Sequence, residues 1–88
     1  MYLTNLGLSY ARRFERFGEV KDIDLAIQQH HEAITSTPLD SANRAMSLNN
    51  LGNSYLYRFE RFGQVKDIDL AVQQHREAVT STPLDSAH

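Results

Sequence analysis

His30, His31 and Glu32 stand side by side in an 88-residue chain with four histidines and no cysteine. They are the first residues to weigh for chemistry. A helical zinc site sets two histidines four residues apart on one face, with a glutamate beside the first as general base. Here Thr35 holds the place of that second histidine. Adjacent residues on a helix point in different directions, so His30 and His31 do not converge on one ion. The spacing instead puts His30 and its counterpart His75 at half-buried packing positions, with His31 on the surface. Gly7-Leu8-Ser9-Tyr10-Ala11 has a serine between small residues, but a nucleophile elbow needs a second glycine and a preceding strand to expose the hydroxyl. The four glycines do not cluster, so no phosphate-cradling loop is spelled out. The expectation is a protein with no catalytic residue, no metal site, no cofactor and no enzymatic activity.

The second candidate is the hexapeptide RFERFG, at 13–18 and again at 58–63. Arginines interleaved with aromatic rings can hold single-stranded nucleic acid when the rings are exposed and the surroundings basic. Nine Lys and Arg against eleven Asp and Glu leave a net charge of −2, which supplies no such surroundings. Neither nucleic acid nor an anionic membrane is expected as a partner. No apolar run approaches the roughly 18–20 residues of a membrane helix, and no apolar segment follows a basic start as in a signal peptide. With cysteine also missing, the default location is cytoplasmic. A composition 41% hydrophobic and 23% charged is that of a globular domain rather than a disordered one.

RFERFG is part of something larger. Shifting the chain by 45 residues aligns 1–43 with 46–88; ten of the 43 pairs differ, so 33 are identical. The chain divides into two units, 1–45 and 46–88, and periods of this length mark stacked supersecondary elements. Each unit spells two helices. Leu48, Leu51, Tyr55, Phe59 and Phe62 recur at spacings of three and four, as do Leu3, Leu6, Tyr10, Phe14 and Phe17, which is one apolar stripe per helix. On this periodicity the aromatic residues of RFERFG extend a buried face, while Arg13, Glu15 and Arg16 are solvated. Gly18 and Gly63 follow the last aromatic, where a helix ends most easily. Asp22 and Asp67 are placed to cap second helices that carry Ala26, Ile27, His30, Ala33 and Ile34, or Ala71, Val72, His75, Ala78 and Val79. Pro38 and Pro83 close those helices, and Asp40 is positioned to cap the next one. The fold class is all-α, with about four helices and no competing strand pattern.

Leu51-Gly52 followed by Tyr55, then Ala71, His75, Ala78 and Pro83, resembles the tetratricopeptide repeat. The first unit matches at Leu6, Gly7, Tyr10, Ala26, Ala33 and Pro38. The resemblance covers nearly the whole chain and implies an α-solenoid of two antiparallel helical hairpins. It departs from the family in repeat length, 45 residues against about 34. RFERFG lies inside the extra length. His30 and His75 replace the family's aromatic, and Leu48 stands where tryptophan is common. Long repeats of this kind resemble those found in tandem in large multidomain proteins, so a piece of a longer array is expected.

The differences between the two units point to a surface. In the first helix the pairs Thr4/Asn49, Leu8/Asn53, Ala11/Leu56 and Arg12/Tyr57 fall at i, i+4, i+7 and i+8, which is one helical face distinct from the packing stripe. In the tetratricopeptide resemblance that face lines a concave groove for an extended peptide or partner helix. The candidate groove residues are Arg12, Asn49, Asn53, Leu56 and Tyr57, with Asn5 and Asn50 adjoining as counterparts of an asparagine that bonds peptide backbone in the family. Basic residues that would clamp a terminal carboxylate have no counterpart at Met46 or Asn49. The expected function is a protein-interaction module or scaffold, the alternative a purely structural, self-assembling spacer. Two repeats are fewer than the three or so that make a stable stack, so association into a dimer or higher homo-oligomer, by stacking or hairpin exchange, is also expected.

Overall fold

The computed structural model of the chain describes residues 3–38 and 41–81. These form four helices, α1 (Leu3–Phe17), α2 (Val20–Thr35), α3 (Ala42–Phe62) and α4 (Val65–Ser81), with no strand among the described residues. The all-α expectation holds, and α3 reaches back beyond position 46 to include the last residues of the first sequence unit.

Two glycines make the hairpins. Gly18 and Gly63 have φ of 72° and 75°, and their N–H groups donate to Phe14 O and Phe59 O at 2.6 and 2.7 Å. A left-handed residue accommodates this closure best without a Cβ. Only two residues separate α1 from α2 and α3 from α4, so each pair turns back on itself. α1 packs on α2, α2 on α3 and α3 on α4, with a smaller contact between α1 and α3. The shared core gathers Ala11 and Phe14 of α1, Ile23, Ala26 and Ile27 of α2, Leu51 and Tyr55 of α3, and Ala71 of α4.

Several capping and burial expectations change. Asp22 and Asp67 are not N-caps: α2 and α4 begin two residues earlier, and both carboxylates are buried inside the first turn. Each is held by the first arginine of RFERFG. Arg13 donates Nε–H and Nη2–H to Asp22 Oδ1 at 3.0 and 2.7 Å. Arg58 donates to both Asp67 oxygens at 3.1 and 2.9 Å. Arg13 is therefore not simply solvated. The guanidinium also holds the Asp22 carboxyl below the usual carboxylate range, first through its hydrogen bond. Ser41 caps α3, its hydroxyl accepting from Asn43 N–H at 3.0 Å. Asp40 and Pro83 lie outside the described residues, while α2 ends three residues before Pro38.

The aromatic stripe is buried only in part. Phe14 is in the core and Phe59 half-buried, but Phe17 and Phe62 are exposed. Both occupy the last turn before the glycine, where the stripe runs past the packed layer. Phe62 still lies beside the Phe14 ring, centroids 6.2 Å apart and planes tilted by 47°.

Candidate functional site

The α1 and α3 helices approach each other across α2, and the residues between them form the candidate site. Its base is set by a glycine opposite a histidine. A Cβ at Gly7 would lie 2.6 Å from Cε1 and 2.8 Å from Nδ1 of His30, closer than real Cβ atoms come, and a Cβ at Gly52 would meet the His75 ring in the same way. The imidazoles occupy the space that the missing side chains leave.

The two histidines then differ. His75 is half-buried, and its Nε2 lies 3.0 Å from Asn53 Oδ1; an amide oxygen only accepts, so that nitrogen carries the proton. His30 is not half-buried, as its spacing suggested, but fully buried, and neither ring nitrogen has a hydrogen-bond partner among the described residues. The divergent pair Leu8/Asn53 accounts for the difference, because position 8 offers His30 no amide. Burial lowers the His30 pKa to about 4, with the charge of His31 a lesser cause. At neutral pH the ring is uncharged, with one N–H to donate and one lone pair to accept.

His30 forms the floor of a recess of about 130 Å³. One wall is α1, through Leu8, Ala11, Arg12 and Glu15; the other is α3, through Asn50, Asn53, Ser54 and Tyr57. The Ser54 hydroxyl is buried and likewise without a partner among the described residues. At the rim Arg12 Nη1 donates to Glu15 Oε1 at 3.1 Å in an exposed pair. The recess is therefore lined by hydroxyl, amide and neutral imidazole side chains at its base, with the His30 ring nitrogens and the Ser54 hydroxyl lying just beneath its surface. That chemistry suits a small neutral group with its own donor and acceptor, such as a carboxamide or a main-chain peptide unit. His30 and Ser54 do not hydrogen-bond each other, so the contact by which a base activates a hydroxyl is not made.

Of the residues marked by sequence, Arg12, Asn50, Asn53 and Tyr57 come together around this recess. Asn5 and Asn49 are exposed on their helices outside it, and the Asn5 carbonyl accepts the Ser9 hydroxyl at 3.1 Å. Leu56 turns inward against the core cluster. Glu15, His30 and Ser54 were missed as site residues because they are identical in both units, and comparing the units highlights only what differs. His31, exposed as expected, places Nε2 3.1 Å from Tyr55 OH.

Among the described residues no three His, Asp or Glu side chains gather as a metal ion would require, and no helix is long and apolar enough to cross a membrane. No protein-family model matches the chain, and the comparisons with curated proteins and with solved structures found no match.

Proposed function

We propose that this chain is a protein-interaction module of tetratricopeptide-like hairpins that holds an extended peptide or a partner helix between α1 and α3. The observation that carries this reading is the recess floored by His30 and Ser54, two buried polar side chains whose hydrogen-bonding capacity no other described residue meets. A buried polar group left unpaired costs about 1–3 kcal/mol, so a ligand that supplies the missing donor and acceptor recovers that cost on binding. The difference between Leu8 and Asn53 supports the same reading, since it leaves one histidine without a hydrogen-bond partner among the described residues while pairing the other.

Binding of this kind draws specificity from a few polar contacts on the floor and area from Tyr57 and Leu8 on the walls. A display library of peptides panned against the chain should return an enriched motif with an amide-bearing or similarly neutral polar residue at one fixed position. With the selected peptide, Asn50→Ala and Tyr57→Ala should each weaken affinity about tenfold or more and leave helical circular dichroism unchanged. A library that returns no motif, or variants that lose helicity and affinity together, would overturn the reading.

A further inference from the structure

α2 and α4 have nearly the same sequence in different surroundings. Over their shared length they differ only at 27/72, 31/76 and 34/79, where Ile, His and Ile become Val, Arg and Val. α3 lies across α2 and buries Ile23 completely and Ile27 to 8% exposure. The corresponding face of α4 is more open: Val72, the counterpart of Ile27, is 48% exposed, Val79, the counterpart of the half-buried Ile34, is 75% exposed, and Ile68, the counterpart of Ile23, is half-buried. The same contrast holds for charge. Asp24 on α2 accepts from Arg58 Nη1 of α3 at 2.9 Å, whereas its counterpart Asp69 is exposed with no ion-pair partner among the described residues.

The matching surface stands at the other end of the molecule. Arg58 uses Nε and Nη2 for Asp67 in its own hairpin and Nη1 for Asp24 in the neighbouring one. Arg13, its counterpart on α1, uses the same two nitrogens for Asp22, and its Nη1 has no acceptor among the described residues. The Arg13 side chain is correspondingly 53% exposed against 23% for Arg58. Tyr55 is buried where α3 meets α2, while Tyr10 is only half-buried. One end thus carries the acceptor face and the other the donor face of an interface that the molecule already forms once inside itself.

We propose that the α4 face of one chain docks the α1 face of a second copy, head to tail, and repeats the α2–α3 interface between molecules. In that contact Arg13 of the incoming chain donates Nη1–H to Asp69, Tyr10 packs beside Arg76, and Leu6 and Tyr10 cover Val72. The contact is heterologous: each copy that docks presents a fresh α4 face, so copies add in series instead of closing as a dimer. This inference is independent of whether the recess binds a peptide.

Sedimentation of the 88-residue chain over a range of concentrations tests it. The weight-average mass should rise smoothly with concentration from that of the 10.1 kDa chain through more than two copies. Asp69→Arg and Val79→Glu alter exposed positions, so both should keep the fold by circular dichroism while the mass stays at one copy. The triple variant Val72→Ile, Arg76→His, Val79→Ile gives α4 the residues of α2, and the two methylenes it adds to the interface should lower the concentration of half-association about tenfold. A wild-type chain that stays monomeric throughout would overturn the proposal. So would association that survives Asp69→Arg and Val79→Glu, because it would then use another surface or exchange hairpins.

Discussion

Leu8 and Asn53 occupy equivalent places on α1 and α3, and the atom that separates their consequences is one amide oxygen. Asn53 supplies it to His75, and nothing supplies it to His30. Leu8→Asn should therefore create the missing bond and hold His30 in the tautomer with the proton on Nε2, visible by NMR as a protected ring N–H. The net change in stability should stay within about 1 kcal/mol, because a gained hydrogen bond is offset by lost apolar contact and by the lower helix propensity of asparagine. A ring that still populates both neutral tautomers would show that position 8 does not reach His30. The buried ring also predicts a pH dependence. Its pKa is about 4 in the folded chain, below the ordinary 6.5, so between those values the unfolded chain binds the extra proton and the folded chain does not. Stability must fall as pH drops through that window, by roughly 3 kcal/mol at most, and level off for this group below it. His30→Phe should remove that slope in urea titrations from pH 7 to 4, leaving the decline at lower pH where Asp22, its pKa held down by Arg13, becomes protonated.

At the scale of the helix, RFERFG divides its labour within a single hexapeptide. The first arginine ties the end of one helix to the start of the next through a buried aspartate, and lies over a tyrosine ring of its own helix, 5.6 Å away for Arg13 on Tyr10 and 5.5 Å for Arg58 on Tyr55. The first phenylalanine packs inward, and the second reaches the exposed end of the hairpin. Phe14→Ala should consequently cost about 3–5 kcal/mol, much of the stability of a domain this small, while Phe17→Ala should cost under about 1. Equal losses from the two substitutions in urea denaturation would mean that the helix packs through a different stripe. Periodicity places both rings on one face. It does not say how far along that face the neighbouring helices extend.

For the whole molecule, the helices contact in chain order apart from the smaller contact between α1 and α3, and α4 packs against α3 without reaching α1 or α2. Such a chain derives stability from nearest-neighbour interfaces, so each interface added contributes much the same amount again. If copies stack as proposed, folding and association are linked. The melting temperature of the wild-type chain should then rise with protein concentration, and that of Val79→Glu should not. Parallel behaviour of the two proteins would separate stability from stacking.

How much was legible in the sequence follows from what each feature depends on. The four helices, their glycine ends and the two-unit plan rest on local rules, namely spacing of three and four, the freedom of glycine at positive φ, and a 45-residue identity, and these were readable residue by residue. The role of Asp22 and Asp67 was misread because a carboxylate in the first turn looks like a cap until the arginine nine residues upstream is folded onto it. The groove was half legible: Arg12, Asn53 and Tyr57 could be marked because copies that differ advertise a face, and Asn50 through the tetratricopeptide resemblance. His30 and Ser54 entered only when α1 and α3 closed over α2. Ile23 and His30 are fully buried on α2, while the identical Ile68 and His75 on α4 are only half-buried. Local sequence is the same at both places, and burial is a property of what lies across a helix, so the tertiary arrangement alone decides it.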